Sequence, residues 1–220
     1  MLEETVLLLT TTVNVQRHKC LLYQADKQDR INTYIKSIVQ WLEKTNFKIV
    51  IVENSGHRFE ELSHLFSKYP NRLEFIGFCE NELEEATFLT NNNSKGASEI
   101  FSINYAFNRS SLIKNATFIV KVTGRFFIPE FQDYLANFNF SNYDVLIQYD
   151  PERCEIVGCH KNHFHHIFNN DLLDETGKYM GHVEYVYRYK CSLYKNVIQC
   201  KPFPIEPTCR GGVNQMVHYV

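Results

Sequence analysis

Basic residues and a glycine stand together where one hydrophobic run of the chain ends. Residues 118–131 read FIVKVTGRFFIPEF, so that Lys121 and Arg125 flank Thr123 and Gly124. Fixed cations at such a place stabilise the charge that develops on a departing phosphate group, because they need no reorganisation during the reaction. The glycine lets the backbone come close to the same group. The stretch therefore predicts an anion site at a strand end.

A structural interpretation of the two cations is also open. Lys121 can extend along the strand to solvent, and Arg125 can pair with Glu130 or with Asp133. In that interpretation neither cation binds a ligand. The tertiary arrangement of these side chains decides between the two.

A second basic group precedes a predicted helix. Lys95 and Gly96 lie just ahead of a helical pattern whose first turn includes Glu99. Backbone N–H groups at a helix start, with an ammonium beside them, suit an anion. Alternatively, Ser94 or Ser98 caps the helix, the glycine allows the turn and the lysine is solvated.

The segment 154–166, CEIVGCHKNHFHH, contains residue types that ligate zinc. Its cysteines and histidines match no tetrahedral pattern of two paired ligand sets. We therefore predict no metal there and interpret the histidines as solvated or acceptor-facing.

The elements that must position these groups follow from an alternation of short β-rich runs with longer helical patterns. The predicted strands cover residues 4–12, 47–52, 73–78, 117–122 and 143–148, and the predicted helices cover 26–44, 59–67 and 98–112. Such alternation is typical of α/β proteins with a mostly parallel sheet and helices on both faces. These proteins bind ligands beyond the carboxyl ends of their strands. We therefore expect the polar strand ends at 10–12, 53–56 and 123–125 to share one site.

The pattern is less regular beyond residue 150. The run 183–189 is interpreted as a strand with Tyr185, Tyr187 and Tyr189 on one face. Residues beyond 150 are interpreted as a less regular half added to the alternating strands and helices that precede them.

The composition limits the partners. The 220 residues include 23 Lys and Arg and 25 Asp and Glu, a formal net charge of −2. A general nucleic-acid binder needs a clustered surplus of basic residues, so no nucleic-acid partner is predicted. The length suits one substantial core and no linker divides it, which predicts a single domain over residues 1–220.

The cysteines and apolar runs predict an intracellular protein. Seven cysteines with no Cys-X-X-Cys pair fit reduced thiols better than disulfides. No apolar run approaches the length of about 18 residues that spans a membrane, and the first run has acidic flanks, unlike a signal peptide. We therefore expect no membrane span and a cytoplasmic location.

Several common enzyme motifs are absent from the sequence. The glycine-rich fingerprints of dinucleotide-binding proteins and P-loop NTPases do not occur, and neither does the Gly-X-Ser-X-Gly elbow of α/β-hydrolases. These classes are therefore excluded as readings of the fold.

A series of segments, taken in order, resembles a known family. They are LLLTTTVNV, DRINTYIKSIVQWL, IVIVENSG, KGASE, IVKVTGRFFI, DVLIQY and HVEYVYR. The set is similar to the small nucleotide-sugar glycosyltransferases of GT-A type found in bacterial surface-polysaccharide clusters and large DNA viruses, over residues 7–188. The resemblance implies a Rossmann-like GT-A fold, with a nucleotide-sugar-binding half at 1–125 and an acceptor-binding half at 126–220. It also implies transfer of a sugar from a nucleotide sugar to a glycan acceptor, in the host cytoplasm if the protein is viral.

The resemblance assigns a donor site. Thr11, Thr12 and Val13 are expected to contact the nucleoside, with Arg30 nearby. The other expected donor-binding residues are Asn54, Lys95, Gly96, Glu99, Thr123 and Gly124.

One motif of the family is missing. Most GT-A enzymes hold a divalent metal on the donor diphosphate with an Asp-X-Asp near the end of the fourth strand, and this chain contains no Asp-X-Asp. Thr123-Gly124-Arg125 stands in its place. We therefore predict that Lys121 and Arg125 supply the positive charge and that neither Mn nor Mg is required.

Glu184 is the predicted general base. An inverting transferase needs a carboxylate within hydrogen-bond reach of the acceptor hydroxyl. Glu184 lies in an otherwise apolar and aromatic stretch, where a carboxylate is costly unless it is used or paired. An exposed Glu184 on an edge strand is the alternative. Asp150 and Glu155 are weaker candidates for the general base. A retaining mechanism would need no general base in this role.

Two other functions stay open at this point. One is a catalytically silent nucleotide- or sugar-binding module of the same fold. The other is a nucleotidyltransferase, which would need a carboxylate metal site that the sequence does not offer.

Overall fold

Strands and helices alternate along the part of the chain that the structure describes. The computed structural model describes residues 4–15, 23–173, 176–178, 180–211 and 215–220. The strands are β1 (Thr5–Thr11), β2 (Lys48–Glu53), β3 (Leu73–Gly77), β4 (Phe118–Thr123), β5 (Val145–Ile147), β6 (Ile156–His160), β7 (Val197–Gln199), β8 (Pro204–Cys209) and β9 (Met216–Tyr219). The α-helices are α1 (Lys27–Lys44), α2 (Ser63–Lys68), α3 (Lys95–Arg109), α4 (Ser111–Lys114), α5 (Phe131–Leu135), α6 (Phe164–Ile167) and α7 (Val183–Ser192).

Most neighbouring strands of the central sheet are parallel. Within the described residues this sheet has seven strands in the order β3-β2-β1-β4-β6-β5-β7, and β8 and β9 form a separate hairpin. Strand β6 is antiparallel to both of its neighbours, and the other pairs are parallel. The predicted α/β fold with a mostly parallel sheet is confirmed.

The polar strand ends predicted from the sequence lie at one edge of this sheet. Thr10 of β1 pairs in register with Val52 of β2 on one side and with Thr123 of β4 on the other. Because the three strands are parallel neighbours, their carboxyl ends point the same way. The residues that follow them therefore surround a common space.

The sheet separates two hydrophobic cores. In β1, Leu7 and Leu9 pack into the core that contains α1, whereas Val6 and Leu8 pack into the core that contains α3 and α7. Alternation with a period of two is what a strand covered on both faces requires. The prediction of helices on both faces is thus confirmed.

Helix α1 covers one face and reaches the polar edge. Asp26 caps its N-terminus by accepting a hydrogen bond from the backbone N–H of Asp29 at 2.9 Å. The indole N–H of Trp41 donates to the carbonyl of Phe126 at 2.9 Å, which fixes the helix against the segment after β4. Its buried side chains are Arg30, Ile31, Tyr34, Ser37, Ile38, Trp41 and Leu42. The apolar stripe is therefore the one expected from the sequence, and its first turn carries Arg30 to the strand ends.

The run 183–189 forms a helix, which corrects the predicted strand. Tyr187 is 1% exposed, whereas Tyr185 is 50% exposed, so these tyrosines do not share a face. The buried side chains of α7 are Val186, Tyr187, Lys190 and Cys191. Valine and tyrosine favour a strand locally, but packing of a helical face onto the sheet outweighs that preference.

The residues after 150 complete the sheet and the polar edge. Strands β6 and β7 extend the same sheet that β1 to β4 begin. The β8–β9 hairpin places Arg210 and Gly211 beside the carboxyl ends of the central strands. The division into two halves at residue 125 remains a prediction.

The described cysteines are free thiols. Burial raises the pKa values of Cys191 and Cys200 to about 12. None of the helices in the described ranges combines the length and the apolar character needed to cross a bilayer.

Candidate functional site

A cavity of about 520 Å³ opens at the carboxyl ends of β1, β2 and β4. The starts of α3 and α7 and the tip of the β8–β9 hairpin complete its wall. Most of the site residues predicted from the sequence line it. They are Thr11, Thr12, Arg30, Asn54, Lys95, Gly96, Glu99, Thr123, Arg125 and Glu184.

Val13 and Gly124 lie behind the cavity wall and are explained by internal packing. Val13 is fully buried, and its N–H donates to Glu53 Oε1 at 2.9 Å. A Cβ atom on Gly124 would lie 2.7 Å from Thr11 Cγ2 and 2.8 Å from the carbonyl oxygen of Thr10. Glycine is thus needed so that β4 can leave the sheet beside β1. The close approach of a phosphate to Gly124 stays a prediction.

The side of the cavity formed by β1, β2 and α1 is a connected hydrogen-bond network. Thr12 Oγ1 donates to Asn54 Oδ1 at 2.7 Å. Arg30 Nε donates to the carbonyl of Thr12 at 2.6 Å, and its Nη2 donates to Tyr34 Oη at 2.9 Å. Burial lowers the pKa of Arg30, and the nearby Arg125 lowers it further. These polar groups are held in place without a ligand.

Glu80 is a buried carboxylate on the same side that sequence reasoning missed. It is 4% exposed and accepts hydrogen bonds from Ser98 Oγ at 2.9 Å and from Asn54 Nδ2 at 3.1 Å. It therefore links the end of β2 to α3. No motif marks Glu80, because its partners come from distant segments.

Lys121 is fully buried and paired with Glu99. Its Nζ lies 2.9 Å from Glu99 Oε1 and donates to the carbonyl of Cys154 at 2.7 Å. Burial lowers the pKa of Lys121, but Glu99, together with Cys154 and Glu155, more than offsets this effect, and the pKa lies above its ordinary value. Lys121 therefore neutralises a protein carboxylate and does not line the cavity. This corrects both the predicted contact with a diphosphate and the alternative of a solvent-exposed lysine.

Glu99 is fixed from two strands. Its Oε1 also accepts a hydrogen bond from Thr10 Oγ1 at 2.8 Å. Because α3 begins at Lys95, with Ser94 as its N-cap, Glu99 lies in the second turn and not in the predicted first turn. The carboxylate is thereby held at the floor of the cavity between β1 and β4.

Arg125 lies between the strand ends and the hairpin. Its Nη1 donates to Gln24 Oε1 at 2.9 Å. The guanidinium covers Gly211, where an added Cβ atom would come within 2.5 Å of Nη1. Among the described ion pairs, none joins Arg125 to Glu130 or Asp133, and Glu130 pairs instead with Lys201, so these two pairings of the structural alternative are not found.

Arg210 is a second arginine at the cavity, and sequence reasoning missed it. Its Nε lies 3.4 Å from Glu155 Oε1, a carboxylate that Arg153 also holds at 3.1 Å. Within the described part of the chain, the terminal nitrogens of Arg210 have no partner. Arg210 adjoins Gly211, on which Arg125 packs, so two guanidinium groups share one wall.

The N-termini of α3 and α7 meet at another part of the cavity wall. A Cβ atom on Gly96 would lie 2.6 Å from Val183 Cβ, so the glycine lets the two helices touch. Ser94 Oγ accepts the backbone N–H of Ala97 at 3.2 Å, which caps α3. Both helix starts line the cavity and bring the positive ends of their dipoles to it.

Glu184 differs from the other carboxylates of the cavity. Glu80, Glu99 and Glu155 all accept hydrogen bonds or ion pairs from protein groups. Among the described residues, Glu184 has neither kind of partner, although it lines the cavity in the first turn of α7. Asp150 does not line the cavity, and its Oδ1 accepts a neighbouring backbone N–H.

The described residues contain no group of three or more His, Cys, Asp or Glu side chains arranged to hold a metal ion. Two histidines of segment 154–166 contact separate partners. His163 Nε2 lies 3.3 Å from Asp144 Oδ1, and His166 Nδ1 lies 2.8 Å from Tyr194 Oη. Cys154 faces the cavity, and burial raises the pKa of its thiol.

Known structures share this fold. The WbbM bifunctional glycosyltransferase aligns with a TM-score of 0.53 and 14% identity, over 88% of this chain and 38% of that one. The glycosyltransferase GlyE of Streptococcus pneumoniae TIGR4 aligns with a TM-score of 0.52 and 7% identity, over 90% and 45%. A putative nucleotide-diphospho-sugar transferase from Desulfovibrio desulfuricans G20 aligns with a TM-score of 0.49 and 12% identity, over 90% of this chain and 79% of that one. The chain thus spans less than half of WbbM and of GlyE, and no protein-family model or curated protein matches it.

Proposed function

We propose that the protein is a glycosyltransferase that moves a sugar from a nucleotide diphosphate donor to a hydroxyl of a glycan acceptor. The observation that carries the proposal is one cavity that combines a preset hydrogen-bond network, two arginines and a glutamate that has no partner among the described residues. The fold that the chain shares with WbbM and GlyE supports it. Each group has a distinct task in such a transfer.

The nucleoside binds at the β1–β2 side of the cavity. Thr12 and Asn54 already hydrogen-bond to each other there, and Arg30 is fixed by the carbonyl of Thr12. A preset site does not lose side-chain freedom when the ligand binds. Thr11 lies at the same strand end, and its Oγ1 donates to the carbonyl of Val52 at 3.0 Å.

The diphosphate binds between the arginines and the helix starts. Arg125 and Arg210 share one wall, and the N-termini of α3 and α7 form the other. Guanidinium groups form strong charge-assisted hydrogen bonds to phosphate oxygens, and helix N-termini favour anions. These groups take the role for which Lys121 was predicted, because Glu99 already neutralises Lys121.

Glu184 acts as the general base of an inverting displacement. Its carboxylate takes the proton of the acceptor hydroxyl while that oxygen forms a bond to the anomeric carbon of the donor sugar. The bond from the anomeric carbon to the diphosphate oxygen breaks, and its electron pair leaves on the nucleoside diphosphate. The fixed guanidinium groups of Arg125 and Arg210 stabilise this charge.

The proposal is tested by incubating the protein with a panel of nucleotide sugars in the presence of a chelator. We expect release of nucleoside diphosphate and transfer to an added glycan acceptor. A catalytically silent binding module would instead show only ligand-induced thermal stabilisation, without release. Release that strictly requires Mg, together with pyrophosphate formation, would favour a nucleotidyltransferase.

Nucleoside diphosphate should bind nearly as well in chelator as in millimolar Mn or Mg. The charge near the diphosphate comes from arginines, and the described residues offer no cluster of metal ligands. Calorimetric titration of UDP and GDP under both conditions measures this. A loss of affinity of tenfold or more in chelator, about 1.4 kcal/mol, would contradict a metal-independent site.

Arg125→Ala and Arg210→Ala should each weaken binding of nucleoside diphosphate by about tenfold or more, because a charge-assisted hydrogen bond contributes about 1.5–3 kcal/mol. The melting temperature should change little, since the described side-chain contacts are a 3.4 Å ion pair of Arg210 with Glu155 and a partly buried hydrogen bond of Arg125 to Gln24. Arg109→Ala is the charge-matched control, because Arg109 lies at the far end of α3 and pairs with Glu85. Unchanged diphosphate affinity with a large drop in melting temperature would make the arginines structural.

A further inference from the structure

Glu99 offers one carboxylate oxygen to the protein and leaves the other open. Oε1 accepts a hydrogen bond from Thr10 Oγ1 at 2.8 Å and forms an ion pair with Lys121 Nζ at 2.9 Å. Among the hydrogen bonds of the described residues, none reaches Oε2. The side chain lines the cavity and is 19% exposed. The carboxylate is therefore fixed on one side and free to accept hydrogen bonds on the other.

The arrangement of Lys121 explains why Glu99 keeps this orientation. Lys121 is fully buried, and its ammonium is also bound by the carbonyl of Cys154. A buried ammonium must stay with its partners, because leaving it unpaired is strongly unfavourable. Lys121 thus acts on the cavity only through the carboxylate that it holds.

The charge of Glu99 limits what the open oxygen can bind. A carboxylate accepts hydrogen bonds and repels phosphate, so its natural partner in a nucleotide sugar is a hydroxyl group. Glu99 belongs to α3, whereas Arg30 and its network belong to α1 on the opposite face of the sheet. Glu99 and Arg30 therefore reach the cavity from opposite faces of the sheet.

We propose that Glu99 accepts a hydrogen bond from a ring hydroxyl of the transferred sugar and so determines which donor sugar is accepted, with Lys121 as the residue that positions it. This inference rests on the proposed function, since it names a role within the same cavity. The proposal gives different roles to the two carboxylates Glu184 and Glu99. Glu184 has no partner within the described ranges and takes a proton, whereas Glu99 is balanced by Lys121 and recognises a hydroxyl.

The test compares the affinities for a nucleotide sugar and for its nucleoside diphosphate, because their ratio isolates the contribution of the sugar. The donor is first identified by thermal shift with a panel of nucleotide sugars. Calorimetry then gives both affinities for the wild type, for Lys121→Met, for Glu99→Asp and for the double variant Glu99→Gln/Lys121→Met. The double variant removes both charges and leaves no unpaired ammonium. Glu99→Asp keeps the negative charge, but its shorter side chain moves the open oxygen away from the cavity.

We expect the affinity ratio to fall by about tenfold or more in the double variant and in Glu99→Asp, because a charge-assisted hydrogen bond is lost. The affinity for the nucleoside diphosphate itself should stay within about threefold of the wild type. Lys121→Met should lower the ratio less, since Thr10 still holds Oε1. A deoxy-sugar donor that lacks the recognised hydroxyl should bind wild type and double variant with the same ratio.

An unchanged ratio in the double variant and in Glu99→Asp would overturn the inference while leaving the proposed function intact. An equal loss for nucleoside diphosphate and nucleotide sugar would also overturn it, because Glu99 would then act on the nucleotide or on the fold. A wild-type protein that binds none of the nucleoside diphosphates would refute the proposed function, and this inference with it.

Discussion

Glu184→Gln should lower sugar transfer by about 100-fold or more, since removal of a general base costs about 10²–10⁴ in rate. The substitution keeps the shape of the side chain and removes its ability to take a proton. Binding of the donor should be unchanged, because Glu184 has no described partner whose position depends on it. Two quantities are measured for each variant. They are the rate of sugar transfer from donor to acceptor and the calorimetric affinity for the donor.

The matched control is Glu85→Gln, which makes the same change at a glutamate that is paired with Arg109 outside the cavity. Near wild-type transfer by Glu184→Gln would place the base elsewhere. Glu155 would be the next residue to test, since it lines the cavity. Asp150, the other candidate from the sequence, lies outside the cavity wall.

Glu99→Leu should reduce the free energy of unfolding by about 3–5 kcal/mol, because it leaves the ammonium of Lys121 buried without its counter-charge. Lys121 is 0% exposed, so water cannot replace the lost carboxylate. Lys121→Met should cost clearly less, because Glu99 reaches the cavity and can be hydrated there. Urea unfolding of each variant measures the difference.

The double variant Glu99→Leu/Lys121→Met provides the control for this pair. It removes both charges, so it should be more stable than Glu99→Leu alone. Equal losses for the two single variants would show that both groups are similarly hydrated. That result would contradict the burial of Lys121 in the structure.

The sequence by itself determined the central strands and the edge at which the cavity lies. Short apolar runs that alternate with helical patterns predicted β1, β2 and β4. The polar residues that end these strands, at 10–12, 53–56 and 123–125, predicted a ligand site at that edge. The reason is that a strand buried on both faces needs a short continuous apolar run, a signal contained in a few neighbouring residues. The helical stripe of α1 is equally local, and it brought Arg30 to the site.

Only the tertiary structure decided which charges remain available at that edge. Lys121 is basic in the sequence, but Glu99 neutralises it across the space between α3 and β4. Arg210 joins the site from the hairpin, and no local pattern marks it. Likewise, the valines and tyrosines of 183–189 suit a strand, and only packing against the sheet made them a helix. Ion pairs and packing join segments that are far apart in the chain, and their free energies depend on burial, which a run of neighbouring residues does not specify.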